Sequence, residues 1–473
     1  MKHSTAHNLH RHTGAIISTA HGWSIAKLKK NTFLIVALVL FSIVLTSCDQ
    51  TTSPGKDTEL PETSEYDAHV ATAWFGLSLD LIEKTAGFSP PVASRALSYM
   101  GVTLYETVAP GIPGYRSLAG ELNGLKPLPQ PGAEIHWPAA ANSALAEITR
   151  KLFRSAEPDL LQAIDALEET LNGQFNLPAT DGVFNRSVEY GREIAGAIYN
   201  WSQSDGGHQG FSTNFPDNYT PPAGPGMWIP TPPGYQTALQ PYWGENRLFA
   251  LSEANECSVT PPPAYSEDPE SVFYTEALEV YETVGQLSDE QREIALFWSD
   301  DPGKTSTPPG HWISILNQVI SEYNHSLDTA AEAYVRLGIA LADAFIVCWY
   351  EKYHYDVIRP ISYIQQVIDA GWNDPEITDP VFTPPFPEYP SGHSVQSGAA
   401  AVVLTDLFGE ISFVDRNHET RGLATRSFVS FWEAAEEAAI SRLYGGIHYR
   451  AGIEFGVEHG RCIGEKATAL ELK

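Results

Sequence analysis

Three short segments in the C-terminal part of this 473-residue chain bring together cations, imidazoles and backbone suited to holding an oxyanion. The first is Lys352-Tyr353-His354-Tyr355-Asp356-Val357-Ile358-Arg359-Pro360. On one helix, seven residues correspond to about 700° of rotation and roughly 10 Å of rise, so Lys352 and Arg359 share a face and their long side chains can converge. Both follow a very apolar stretch, where an unpaired charge is costly, and so require an anion, unless they are simply solvated cations at a helix end. The second is Pro390-Ser391-Gly392-His393, opening a helix that starts near Ser394. The first amides of a helix lack internal partners and its dipole adds positive potential, which makes an anion seat. Ser391 adds a hydroxyl, Gly392 permits close approach, and His393 stands at the rim as an acid or base; an ordinary capped turn has the same spelling. The third is Ser441-Arg442-Leu443-Tyr444-Gly445-Gly446-Ile447-His448. On an unbroken helix His448 faces away from Arg442, but Gly445 and Gly446 can end the helix and return His448 to the Arg442 side.

The elements that must position these groups are helical. Apolar residues recur at three- and four-residue spacing over Ala68 to Ala86, Ala93 to Thr107, Ala139 to Phe153, Asp159 to Phe175 and Arg186 to Trp201, and period-two strands are scarce. Ser202 to Tyr242 is rich in Pro, Gly and aromatics and reads as a long ordered loop of the kind that covers active sites. Helices resume at Glu270 to Gly285, Ser288 to Trp298, Gly310 to Tyr323 and Thr329 to Ile358, then Ser394 to Phe408, Phe428 to Leu443 and from about Ala451. Leu337 to Tyr350 is apolar except for Asp343, which suits the centre of a bundle better than a membrane. The fold expected is all-α, built from bundles. His311, in Pro-Pro-Gly-His-Trp, reads either as a second-tier pocket residue or, by preference, as a cap of its own helix.

With 43% apolar, 11% aromatic and 18% charged residues the chain is globular. It carries 29 basic against 58 acidic residues, and five of the bases with no acid fall in the first 47 positions. Such an acidic surface excludes non-specific nucleic-acid binding, which needs a basic footprint. After Lys27, Lys29 and Lys30 comes the apolar run Phe33 to Val44 and then Leu45-Thr46-Ser47-Cys48, too short to span a bilayer and read as an export signal. Leu-Thr-Ser-Cys resembles the bacterial lipobox, which implies acylation of Cys48 and a mature lipoprotein held at a membrane by its lipid alone, periplasmic or at the cell surface. Residues 1–48 are then the signal, 49–65 a polar tether, and 66–473 one folded domain. Cys257, Cys348 and Cys462 are odd in number and have no CxxC spacing, so neither a zinc site nor a disulfide framework is expected. No HExxH, GxSxG or Walker pattern is present.

The three segments together resemble the vanadium haloperoxidase and acid phosphatase superfamily, whose pattern is K-x6-RP, PSGH and SR-x5-H in that order. The resemblance covers Lys352 to His448. It implies paired four-helix bundles, with the oxyanion core at about 329–473, and a pocket for vanadate or its near-isostere phosphate. By motif Lys352, Arg359 and Arg442 resemble the neutralising cations, and Ser391 and the Gly392 amide resemble the donors. His448 resembles the axial vanadium ligand or phosphate nucleophile, and His393 the acid/base group. Phe386, in the aromatic run Phe382 to Tyr389, is expected on the halide side. One position departs: many members carry an Asp four residues after the last His, and here it is Gly452, with Glu454 near enough in sequence to substitute. The long helical N-terminal half resembles the haloperoxidases rather than the phosphatases. The resemblance therefore implies Lewis-acid oxidation of a halide, iodide or bromide by preference, with hydrogen peroxide, and hypohalous acid that halogenates organic acceptors. The alternatives are an acid phosphatase using a phosphohistidine and a non-catalytic oxyanion-binding lipoprotein. Oligomeric state is not legible.

Overall fold

The computed structural model describes residues 60–175, 182–372 and 381–473, all within one compact unit, Glu59–Lys473. The expected signal, Cys48 and most of the tether lie outside the described residues. The first helices are α1 (His69–Lys84), α2 (Pro90–Val108), α3 (Trp137–Leu152), α4 (Pro158–Asn172) and α5 (Val183–Ser202). There follow α6 (Val272–Gly285), α7 (Asp289–Phe297), α8 (Thr307–Glu322), α9 (Leu327–Tyr355), the short α10 (Pro360–Tyr363), α11 (Gly392–Phe408), α12 (Phe431–Tyr444) and α13 (Arg450–Thr468). Among the described residues the sheet is a two-stranded ribbon, β1 (Phe413–Asp415) antiparallel to β2 (Arg426–Phe428), with Phe413 opposite Phe428. The expected all-α class is therefore the class observed. None of the described helices is long and apolar enough to cross a membrane.

Helix starts follow local chemistry. Proline at the first turn opens α2, a reciprocal Ser288–Gln291 capping box opens α7, and Ser430 accepts from the Glu433 amide to open α12. The centre of the molecule is α9, buried continuously from Ala333 to Trp349. On one side it meets α2, which packs on α3, and α3 on α5; on the other it meets α11, which is gripped by α12 and α13. The α11–α13 crossing is so close that a Cβ on Gly460 would lie 2.0 Å from the Val395 carbonyl oxygen. Two helical layers thus share α9.

Asp343, the one charge in the apolar centre of α9, is a loop clamp. It is fully buried and accepts from the amides of Phe249 (2.6 Å), Ala250 (2.9 Å) and Leu251 (3.2 Å). The loop 203–242 is also anchored to α9: the indole of Trp349 and the hydroxyl of Tyr353 both donate to the Leu239 carbonyl. The Trp228 amide donates to Asp356 O, and Leu239 N to Pro385 O.

The cysteines correct the sequence reading. Cys257 and Cys462 form a disulfide that ties the segment after the 3-10 turn Ala254–Glu256 to α13. Spacing rules find local pairs, and 205 residues separate these two. The odd count misled because Cys348 is a buried packing thiol in α9.

Candidate active site

Lys352 and Arg359 converge, but not along one helix. The chain leaves α9 at Tyr355, where Asp356 takes the left-handed conformation (φ 51°), and Arg359 is the extended residue before α10. The expected helix to Ile358 is thus three residues too long, because Pro360 disfavours helical backbone at Arg359. Both cations instead meet the extended segment 386–390. Lys352 Nζ donates to the carbonyls of Pro387 (3.0 Å), Glu388 (2.8 Å) and Pro390 (2.6 Å), and Arg359 Nε donates to Phe386 O (2.8 Å). Lys352 therefore contributes charge from beside the site, with its three protons already bonded.

Ser391 is the N-cap of α11; its Oγ accepts from Ser394 N at 3.3 Å. A Cβ on Gly392 would meet only Trp349, at 3.7 Å, so no packed backbone crowds the start of α11. Arg442 lies on α12 and its Nη1 donates to Trp298 O at 2.6 Å. After Tyr444 the chain closes with Gly446 N bonded to Leu443 O and Ile447 N to Arg442 O, Gly446 standing at φ +70°. That turn delivers His448 to Arg359: Nη1 of the guanidinium lies 3.2 Å from His448 Nε2 and 2.9 Å from the Ile447 carbonyl, to which it donates.

Arg359 therefore meets the imidazole directly. Burial drives the His448 ring well below the usual histidine range, and the charges of Arg359, Lys352 and Arg442, with the His393 ring, push it further the same way. The His393 ring is likewise lowered, by burial and then by Arg442. Burial lowers Arg359 and Arg442 to about 10, so both stay charged at neutral pH, whereas it brings Lys352 to about 7. Phe386 is 8% exposed and sits against both cations, with Arg359 Cζ 4.8 Å and Lys352 Nζ 5.0 Å from its ring centre.

Several groups here were not singled out in the sequence. Trp349 packs on Phe386 at 4.9 Å; its position one turn before Lys352 on α9 was the available signal. Glu388 Oε1 lies 2.6 Å from His448 Nδ1. Glu454 does not take that place: it pairs with Arg450 on the surface and is 60% exposed. His311 does not cap its helix either. It is buried between two carboxylates, Nδ1 2.8 Å from Asp300 and Nε2 2.7 Å from Asp415. Asp300 and Asp415 outweigh the burial and raise it to about 10, so the ring is an imidazolium. His418 Nε2 completes a His/Asp group 3.3 Å from Asp300. Asp300 follows Trp298, whose carbonyl holds Arg442, so this group braces the wall of the site and is not its floor.

A tetrahedral oxyanion fits these residues. Arg359 Nη2, Arg442 Nε and His393 Nε2 are buried without hydrogen-bond partners, and the two guanidinium atoms can only donate. Vanadate also needs one nitrogen lone pair, and His448 Nε2 faces Arg359, a pure donor.

Paired helical bundles with a cationic cage around a neutral imidazole define a helical oxyanion-binding protein. Residues 332–472 match the family described as the second helical-bundle domain of VCPO. The chain is 22% identical over 489 residues to vanadium chloroperoxidase of Curvularia inaequalis, covering 83% of this chain and 80% of that protein. A crystal structure described as the first bacterial vanadium-dependent iodoperoxidase is similar at 39% identity and TM-score 0.75, over 87% of this chain and 98% of that one. A holo-type bacterial vanadium-dependent chloroperoxidase shares the fold at 16% identity and TM-score 0.60, over 82% and 92%. The chain belongs to the vanadium haloperoxidase family.

Proposed function

We propose that the cage binds vanadate and that this haloperoxidase uses hydrogen peroxide to oxidise iodide or bromide to hypohalous acid. The observation that carries it is the His448 ring held 3.2 Å from Arg359 Nη1 in a buried site where Arg359 Nη2 and Arg442 Nε have protons without partners. Bound vanadate would supply Lewis-acid activation of peroxide toward halide attack, the halide giving two electrons to peroxide and the metal keeping its oxidation state. In this reading Arg359 and Arg442 hold the oxygens through their free protons, and Ser391 and the Gly392 amide hold them from the start of α11. His448 Nε2 would supply the nitrogen ligand. His393, neutral and with Nε2 unpartnered, takes and returns protons as peroxide is consumed and water leaves. Phosphate competes for the same seat. Iodide is favoured because it is the easier halide to oxidise and because the 39% identical relative is described as an iodoperoxidase. Organic acceptors meet hypohalous acid outside the cage. We also propose export and lipid anchoring at Cys48, supported by the Cys257–Cys462 disulfide, a bond of oxidising compartments.

The test is a halide scan. Protein loaded with orthovanadate turns over iodide, or iodide and bromide, only with peroxide. Hydrolysis of p-nitrophenyl phosphate with no halide oxidation would favour the phosphatase instead.

Two predictions arise from the same geometry. Phe386→His places a polar ring between the cations and Trp349, so it changes the ratio of bromide to iodide kcat/KM by about tenfold while vanadate content stays near one per chain. The second concerns pH. Lys352, lowered by burial to about 7, loses its charge as pH rises through that value, and Glu388, raised by burial to about 7, gains one. Both changes oppose an anion, so affinity for molybdate, whose own charge is constant there, falls above pH 7, by as much as about tenfold per pH unit for each proton taken up. Calorimetric titration at several pH values checks this, and Lys352→Met removes one of the two components.

A further inference from the structure

The imidazole at the centre of the site must present one nitrogen lone pair to the anion, and the structure shows how the ring is held to do so. Arg359 Nη1 lies 3.2 Å from His448 Nε2, and a guanidinium has protons to give and no lone pair to accept with, so Nε2 is the acceptor. A neutral ring with a bare Nε2 carries its proton on Nδ1. That nitrogen lies 2.6 Å from Glu388 Oε1, which therefore accepts a hydrogen bond from it.

Glu388 is fixed from both ends. Its Oε1 also accepts from the Tyr449 amide at 3.2 Å, its own amide donates to Val357 O at 2.9 Å, and its carbonyl accepts from Lys352 Nζ at 2.8 Å. One residue thus joins the Lys352 ammonium to the His448 ring. The residue four after His448 is Gly452, and the volume that a side chain would take there is already filled. A Cβ built on Gly452 would lie 2.4 Å from Glu388 Oε1 and 3.1 Å from its Cδ and Oε2. While Glu388 keeps its bond to His448, a side chain at 452 would collide with its carboxylate. Gly452 O meanwhile accepts from Ser391 N at 2.9 Å, so the backbone there is held in place by the anion seat itself.

We propose that Glu388 is the positioning residue that fixes His448 in its Nδ1–H form, and that Gly452 is the space this arrangement requires. The carboxylate comes from the strand-like segment that precedes the serine and not from the helix that follows the histidine. This deepens the vanadate-binding reading above and rests on it for its consequence, but not for the state of the ring.

Four variants and two readouts test it: Glu388→Ala, Glu388→Gln, Gly452→Asp, and Glu388→Ala combined with Gly452→Asp, each checked for native circular dichroism. The first readout is the ring nitrogens of His448 by 15N NMR in histidine-labelled apo protein, which does not depend on vanadate. Wild type shows a protonated Nδ1 and a bare Nε2; Glu388→Ala shows a mixture of tautomers. A wild-type ring protonated at Nε2 overturns the proposal. The second is the dissociation constant for orthovanadate by equilibrium dialysis. Glu388→Ala weakens it by about ten- to a hundredfold, Glu388→Gln by less because an amide oxygen still accepts, and Gly452→Asp alone weakens it through collision with Glu388. The double variant recovers at least about tenfold over Glu388→Ala, since Asp then occupies the vacated volume. Unchanged affinity in Glu388→Ala, or a double variant no better than it, overturns the proposal. Failure of wild type itself to bind orthovanadate would instead sink the function reading and leave the tautomer result standing.

Discussion

His448→Ala yields a folded protein that does not retain vanadate. The ring supplies the nitrogen lone pair that lies against Arg359 in the cage, whereas Arg359, Arg442 and Lys352 offer protons alone. Removing a partner of a ligating histidine typically costs about ten- to a hundredfold in metal affinity, and removing the ligand itself costs more. We expect vanadium content after gel filtration to fall from near one per chain to below a tenth, with halide oxidation lost in proportion. A fold effect is expected too, and it is separable. Glu388 Oε1 keeps only the Tyr449 amide, and Arg359 Nη1 keeps only the Ile447 carbonyl, a cost of about 1–3 kcal/mol. Far-ultraviolet circular dichroism therefore stays native while the melting temperature falls by a few degrees. Vanadium retained at wild-type content in this variant would remove His448 as ligand.

Asp343→Ala is the largest stability change we expect away from the cage. Three amides of the 249–251 segment end on this one carboxylate inside α9, and Phe249 and Leu251 are themselves buried. Alanine leaves those amides without an acceptor where water does not reach, at about 1–3 kcal/mol each; because they belong to one loop, the total is about 3–5 kcal/mol rather than a simple sum. Urea unfolding measures it. Burial raises the Asp343 carboxyl to about 6, above its unfolded value, so its titration favours the folded state at acid pH and that contribution is lost as pH rises through 6. The deficit of Asp343→Ala is accordingly expected to widen as pH falls below 6. A loss under about 1 kcal/mol would mean that the loop repacks without its clamp.

What the sequence made legible follows from how local each cause is. Helices were readable because α1 to α9 bury one stripe or, in α9, nearly everything, and apolar spacing reports that directly. The three motif segments were readable because side-chain type and short spacing set their chemistry. What failed was non-local. The seven-residue spacing of Lys352 and Arg359 suggested one helix face, yet Asp356 and Pro360 break the helix between them, and the two cations meet through the carbonyls of a third segment. The Cys257–Cys462 pair was hidden by its separation in the chain. Glu454 was nearer in sequence to His448 than Glu388 is, but one turn of α13 carries it to solvent and Arg450. His311 looked like a cap because its neighbours are Pro and Gly, whereas its partners, Asp300 and Asp415, arrive from a turn and from β1.

The central claim is that Arg359, Arg442, the start of α11 and His448 close around a single four-oxygen anion. A crystal structure of the orthovanadate-loaded protein tests it most directly. One vanadium per chain is expected on His448 Nε2, with its oxygens taking the protons of Arg359 Nη2 and Arg442 Nε that have no partner in the protein. Vanadium found instead at Asp300, His311 and His418, or a His448 ring turned away from Arg359, would contradict it.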